Sequence, residues 1–331
     1  MDQKLEWISE VGIVPTIKME DVNKAVPLAN ALLEGGISVA EILFQTAAAE
    51  AAIRKISENC PDFLIGAGSV LTCKQVDKAL EAGGKFVVTA EFDLKVIQYA
   101  LSKGTLVIPS VSTLEEVEQA GNMGLNVVSF SFNERGKSME ALRAFASHHR
   151  EIKWLPSGDI HRGTLLEYLA CDQVLACRGA WMVKSELVQD SGWREITALC
   201  KETVSAMLGF RVVHVGINCK DAAEAEQIAR LFCSVFDVSY QPGETAIFAG
   251  SLVECIKGPY LGAHGHIAIG TNDVDRAIYH LKRRGVIFDE ASRKVDSQGR
   301  TTLIYFQEEI GGFAIHLTKI SLTHQMPDGR M

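Results

Sequence analysis

Between residues 10 and 205, short apolar runs alternate with amphipathic stretches rich in Ala, Leu, Glu and Lys. Strand-length apolar runs fall near 13–17, 37–43, 63–67, 85–89, 105–109, 126–132, 152–156 and 173–177. The stretches between them have helical spacing, as in Val22 to Leu33 ahead of Gly35-Gly36 and Cys73 to Ala82 ahead of Gly83-Gly84. Glycine just past a helix is the expected C-terminal cap. Eight such units in about two hundred residues predict an α/β fold, a (β/α)8 TIM barrel. A doubly wound open sheet is the alternative, but no G-x-G-x-x-G opens the first helix.

Around Met207-Leu208-Gly209-Phe210 the pattern changes. Two similar modules follow, each a histidine-bearing strand, a helix and three further strands. The first has Val212-Val213-His214-Val215-Gly216-Ile217, a helix through Ala222–Phe232, and strands near 235–241, 245–249 and 251–257. The second has His264-Gly265-His266-Ile267-Ala268-Ile269, a helix through Val274–Arg284, and strands near 286–289, 301–307 and 313–319. His-Val-Gly-Ile and His-Ile-Ala-Ile fall at equivalent places, as do Leu252-Val253-Glu254-Cys255 and Ala314-Ile315-His316-Leu317. This is a duplicated βαβββ module. The expected organisation is a barrel over 1–207, an α+β pair of modules over 208–322 and a frayed polar tail over 323–331.

Composition narrows the function classes. The chain has 331 residues, 47% hydrophobic and 22% charged, enough for two domains with real cores. A net charge of −8 argues against a nucleic-acid partner. No apolar run approaches the ~20 residues that span a bilayer, and the first residues lack a signal-peptide core. A cytoplasmic location with no membrane partner is expected. The eight cysteines are scattered without a C-x-x-C pair, so they read as buried, reduced side chains.

Seven segments in order give the first half a family resemblance. They are Val14-Pro15-Thr16-Ile17, Ala25-Val26-Pro27-Leu28-Ala29, Gly35-Gly36-Ile37, Val39-Ala40-Glu41-Ile42, Gly66-Ala67-Gly68-Ser69-Val70-Leu71, Pro156-Ser157-Gly158-Asp159-Ile160 and Gly179-Ala180-Trp181-Met182-Val183. Over residues 8 to 207 the chain resembles the 2-keto-3-deoxy-6-phosphogluconate / 4-hydroxy-2-oxoglutarate aldolase family. That family uses a lysine amine to form an imine with a ketone, an electron sink for breaking the neighbouring carbon–carbon bond. The resemblance makes Glu41 the general acid/base and gives Thr16, Thr46, Ser69, Ser157, Gly158 and Gly179 substrate-binding places.

This chain also departs from the family. In Val127-Val128-Ser129-Phe130, Ser129 stands where the lysine is expected, and a hydroxyl cannot form an imine. Gln45 replaces an arginine that grips the substrate carboxylate, so a bidentate clamp is lost. In the phosphate-binding turns, Asp159 replaces a glycine, and Arg178 and Ala180 replace Gly and Ser. The new Asp repels phosphate while the new Arg attracts it. Lys18, just past the first strand, is the substitute nucleophile to consider; a surface lysine before Glu20-Asp21 is the alternative.

The second half resembles the vicinal oxygen chelate superfamily, which includes glyoxalase I and extradiol dioxygenases. There, equivalent strand positions in two modules converge on one divalent metal. The resemblance puts these ligands at His214, Glu254, His266 and His316. Three imidazoles and a carboxylate suit Fe²⁺, Mn²⁺, Ni²⁺, Co²⁺ or Zn²⁺. The last position is usually glutamate, so His316 points away from oxygenase chemistry and toward metal polarisation of an enediolate. His264, two residues from His266, is expected on the same face. No cofactor is expected in the barrel.

Three functions remain open. The barrel acts as a lyase on a small oxo acid or sugar acid, phosphorylated or not. Alternatively the metal-binding half performs isomerase or lyase chemistry with the barrel as scaffold. The third is a non-catalytic metabolite-binding protein. Related barrels commonly form trimers, so the resemblance implies a homo-oligomer.

Overall fold

The computed structural model describes residues 2–131 and 138–320 and divides the chain into two units, Met1–Met207 and Leu208–Met331. The polar tail and the end of the run at 126–132 lie outside the described residues.

The first unit has strands β1 (Ile13–Ile17), β2 (Val39–Leu43), β3 (Leu64–Val70), β4 (Phe86–Thr89), β5 (Leu106–Ile108), β6 (Ser110–Val111), β7 (Val127–Ser131), β8 (Lys153–Ser157) and β9 (Cys177–Gly179). All their pairings are parallel. Six form a half-barrel in the order β5-β4-β3-β2-β1-β9, and β6-β7-β8 form a second sheet. The strands are apolar on both faces, as for parallel strands covered by helices: Ile13, Val39, Ile42, Ile65, Val87 and Val128 are fully buried. Helices such as Ala25–Glu34, Ala49–Asn59 and Cys73–Glu81 fill the connections.

The helix starts follow from local chemistry. Thr72 accepts from the N–H of Gln75, whose side chain returns the bond, and Thr113 and Glu116 repeat the arrangement. The expected fifth strand is split at Pro109, which has no N–H for a ladder, though its carbonyl accepts from Ser129 N at 2.8 Å. The expected strand over 173–177 is a single bridge at Val174, and the ladder beside β1 begins only at Cys177. Backbone hydrogen bonds also run from Trp154 N to Gln173 O, Leu175 N to Trp154 O, and Cys177 N to Gly12 O.

The second unit is one eight-stranded, mostly antiparallel sheet. Its strands are β10 (Arg211–Asn218), β11 (Tyr240–Pro242), β12 (Ala246–Ala249), β13 (Val253–Ile256), β14 (Gly265–Thr271), β15 (Phe288–Val295), β16 (Thr301–Phe306) and β17 (Phe313–Lys319). The order β11-β12-β13-β10-β14-β17-β16-β15 reads as the same four-strand set from either edge. The pairs β10/β13 and β14/β17 are parallel, and β10 meets β14 antiparallel at the centre. The duplication in sequence is therefore a duplication in topology.

The helix Ala222–Phe236 outruns its expected end and shortens the strand after it. It stops at Asp237, which takes the left-handed conformation (φ 52°) of a helix C-terminus. It packs Ala225 and Ala229 on Ile247 and Cys255. No helix among the described residues is long and apolar enough to cross a membrane.

Candidate active site and candidate metal centre

In the first unit, β2 and β7 carry their polar residues into a buried cluster. Glu41 and Ser129 are wholly buried and Arg178 is 7% exposed. Arg178 Nε donates to Glu41 Oε1 at 3.2 Å, Nη2 donates to the same oxygen, and Nη1 donates to Ser129 Oγ. Glu41 Oε2 is buried with no hydrogen-bond partner among the described residues. Gly68 makes the room: a Cβ there would lie 2.9 Å from the Glu41 carboxyl carbon. One guanidinium thus links strands of both parallel sheets.

Around this cluster the carboxyl ends of the strands supply hydroxyl and amide groups. Half-buried Thr16 is in register with Glu41. Ser69 sits at a bulge in β3 with φ 53°, an uncommon conformation for a side-chain-bearing residue, and accepts from Gln45 Nε2 at 3.2 Å. Thr46 donates instead to the Met19 carbonyl. Ser157 closes β8 half-buried, and Gly158 follows with φ 107°, open to few residues but glycine. Gly179 is roofed by the Trp181 ring, 2.1 Å from where a Cβ would lie.

Two expectations look different in the fold. Arg178 was expected to face an anion at the eighth-strand turn, but its guanidinium is buried on Glu41 and Ser129. The signal was available: a charge in Leu175-Ala176-Cys177-Arg178-Gly179 needs a buried partner. Lys18 has a side chain 48% exposed and pairs with Glu20 at 3.1 Å, the setting of a solvated lysine rather than a desolvated nucleophile.

In the second unit, strand register brings four residues together. Gly216 pairs with His266 and with Glu254, while Ala268 pairs with His214 and with His316. His214 is thus equivalent to His266, and Glu254 to His316, about the β10/β14 centre. A side-chain-free residue at 216 is required by this arrangement: a Cβ on Gly216 would lie 2.1 Å from the His266 ring.

Ligand nitrogens of His214, His266 and His316 lie within 4.8 Å of one another. His214 Nε2 and His266 Nε2 are 3.0 Å apart, and Glu254 Oε2 is 3.3 and 3.2 Å from them. Donors about 2.1 Å from a shared ion, at roughly right angles, would be about 3.0 Å apart. The His214, His266 and Glu254 spacings match this, while the group whose ligand atoms all lie within 4.8 Å of one another is the three histidines. Hydrogen bonds from His214 and His266 hold the Glu254 carboxyl down at about 2. Burial, then the neighbouring His266, pushes the His316 imidazole down to about 4, which keeps it neutral and available as a ligand.

His264 does not join them. It precedes the strand, and Gly265 (φ 121°) turns the chain, so its ring packs on Phe313 at 5.6 Å. The aromatic walls were not anticipated from sequence: Phe248 faces His214 at 5.6 Å and Tyr305 faces His316 at 4.8 Å. Tyr305 could have been found from the register, since it pairs directly with His316.

The first unit is therefore a parallel α/β protein with a buried Glu41–Arg178–Ser129 cluster at mid-strand and further polar groups toward the carboxyl ends of its strands, the usual place for chemistry in such folds. A family model for KDPG and KHG aldolases matches residues 5–199, and the chain belongs to that family through this unit. It is 37% identical over 199 residues to the 2-dehydro-3-deoxy-phosphogluconate aldolase of Treponema pallidum, covering 60% of this chain and 95% of the relative. It is 32% identical over 193 residues to the KHG/KDPG aldolase of Escherichia coli K12, covering 58% and 90%. Among solved structures it resembles a KDPG aldolase from Legionella pneumophila captured with pyruvate as a covalent carbinolamine. That likeness has TM-score 0.58 and 29% identity, and covers 61% of this chain and 98% of the other. The family match ends before the second unit begins at Leu208.

Proposed function

We propose that the first unit is a carbon–carbon lyase acting on a small 2-oxo acid or sugar acid, phosphorylated or not, without an imine. The observation that carries this is the Glu41–Arg178–Ser129 cluster. It holds a carboxylate at Glu41 and a hydroxyl at Ser129, the positions that the sequence resemblance assigns to the family's acid/base and its imine-forming lysine. Closure of the two parallel sheets into a (β/α)8 barrel belongs to this reading. It is supported by the Pro109–Ser129, Trp154–Gln173 and Gly12–Cys177 hydrogen bonds and by Arg178 spanning β2 and β7.

In such a site Glu41 Oε2 takes the proton of the substrate's 4-hydroxyl. The C3–C4 bond breaks, its electron pair forms the C2–C3 double bond of an enolate, and Glu41 then returns the proton to C3. Gln45, Thr46, Ser69, Ser157 and Gly158 are the groups available to the carboxylate and the distal end of the substrate. The test is release of pyruvate from 2-keto-3-deoxygluconate, its 6-phosphate or 4-hydroxy-2-oxoglutarate. Release that falls at least a hundredfold in Glu41→Gln is expected. Failure to cleave or bind any of the three would remove the reading.

The histidine cluster favours a second activity. The second unit reads as a paired vicinal oxygen chelate module in which His214, Glu254, His266 and His316 hold one divalent ion, Mn, Fe, Co, Ni or Zn. When bound, such an ion polarises a carbonyl or enediolate oxygen. Glu254, with its carboxyl ionised, balances the ion's charge, and the buried His316 remains a neutral donor. Isomerase or lyase chemistry on an enolisable carbonyl is the corresponding function. One ion bound per chain, measured by elemental analysis after reconstitution, is expected. A chain that binds none would leave these as packed side chains.

A further inference from the structure

Among the described residues, the buried cluster of the first unit lacks one hydrogen-bond donor, for Glu41 Oε2, and an acceptor for the remaining Arg178 N–H groups. Glu41 Oε1 receives two Arg178 N–H groups, whereas Oε2 receives none among the described residues. A guanidinium has five N–H bonds. Three are committed here, one to Ser129 and two to Glu41, which leaves two uncommitted among the described contacts. An open acceptor and open donors therefore lie side by side in a place with almost no access to water, and buried polar groups left in this way mark functional sites.

The guest they fit has a hydrogen-bond-accepting oxygen next to an acidic C–H or O–H. A 2-oxo acid has both, its ketone oxygen one bond from C2 and its acidic hydrogens on C3. We propose that Arg178 is the electrophile of this site, holding the enolate oxygen of a 2-oxo acid non-covalently while Glu41 moves the proton on C3. This rests on the lyase reading above and adds to it the group that replaces the imine.

The cation has in effect changed strands. Ser129 on β7 has no charge, but Arg178 on β9 reaches its hydroxyl, so positive charge arrives at the place a longer side chain at 129 would occupy. Arginine stays protonated and cannot act as an amine nucleophile. Its planar fork instead makes charge-assisted hydrogen bonds to an oxyanion, which strengthen as negative charge develops. Ser129 fixes the rotation of the guanidinium and is a positioning residue.

The step balances without any further reagent. Glu41 Oε2 takes a C3 proton, and the C–H electron pair becomes the C2–C3 double bond. The carbonyl π pair moves to the C2 oxygen, where Arg178 holds it. In D2O the proton taken up by Glu41 exchanges with solvent before the return step, which then delivers a deuteron, so pyruvate loses its methyl proton signal without being consumed.

The experiment follows that signal by NMR with the full chain in D2O. Wild type exchanges the pyruvate methyl protons, and Glu41→Gln and Arg178→Met each lower the rate by at least about a hundredfold. Added methylguanidinium restores part of the rate to Arg178→Gly, which a merely structural arginine would not allow. Ser129→Ala retains exchange at a rate lowered about tenfold or less. Dialysis against a chelator leaves the rate unchanged. Full exchange in Arg178→Met, loss of exchange on chelation, or no exchange in wild type would each overturn the inference. Calorimetry separates the last case: pyruvate that binds without exchanging leaves the lyase reading standing, and pyruvate that does not bind removes both.

Discussion

Arg178 and Glu41 are 137 residues apart in the chain and share one carboxylate oxygen in the fold. Each is costly to bury alone, so removing one leaves the other an uncompensated charge. Arg178→Met is expected to lower unfolding stability by about 3–5 kcal/mol. The double variant Arg178→Met/Glu41→Gln should recover part of that loss, because neither charge then remains. Urea unfolding of the four proteins in the cycle measures the coupling, and additive losses would contradict a direct pair. The carboxylate was legible in the sequence because it is the one charge inside an apolar strand, Val39-Ala40-Glu41-Ile42-Leu43. That Arg178 needs a buried partner was legible too, but not which partner it takes, because that depends on which strand closes beside β1, and the eighth strand begins four residues later than its apolar run.

At the level of elements, strand register decides which histidines meet. Alternation along β10 and β14 was enough to pair His214 with His266, and the repeated segments were enough to pair Glu254 with His316. Alternation misjudged His264, because the left-handed φ of Gly265 lies between it and the strand. It also missed Phe248 and Tyr305, which come from neighbouring strands. Metal binding should follow the register. His214→Ala is expected to lose most bound metal and His264→Ala to keep it. Gly216→Ala, which pushes on the His266 ring, should weaken binding at least tenfold while the sheet remains intact by circular dichroism. Equal loss in His214→Ala and His264→Ala would mean that the cluster is not the metal's site.

For the whole chain, two units imply two responses to solution conditions. A metal bound only by the folded second unit raises that unit's unfolding temperature with metal concentration and leaves the first unit's transition unchanged. Acid acts in the opposite sense on the second unit. His316 is lowered from 6.5 to about 4, so the unfolded chain takes up its proton first as pH falls. The stability tied to a neutral His316 is present above about pH 6.5 and is lost as pH falls toward 4. Glu254, lowered from 4.5 to about 2, extends the same loss below pH 4.5. Unfolding of the metal-free protein monitored between pH 7 and 4 should show stability declining across that window, and a flat profile would contradict the buried neutral imidazole. The bipartite organisation was readable from the change of pattern near Met207 and from the repeated βαβββ segments, since both depend on local periodicity.

In the first unit the positive charge beside Ser129 comes from Arg178 on another strand. Borohydride reduction in the presence of pyruvate, followed by intact mass and peptide mapping, tests this most directly in the wild-type chain and in Ser129→Lys/Arg178→Gly. The wild type is expected to show no covalent adduct, and the double variant is expected to be trapped at position 129. A wild-type adduct on any lysine, Lys18 above all, would contradict the account and return the site to imine chemistry.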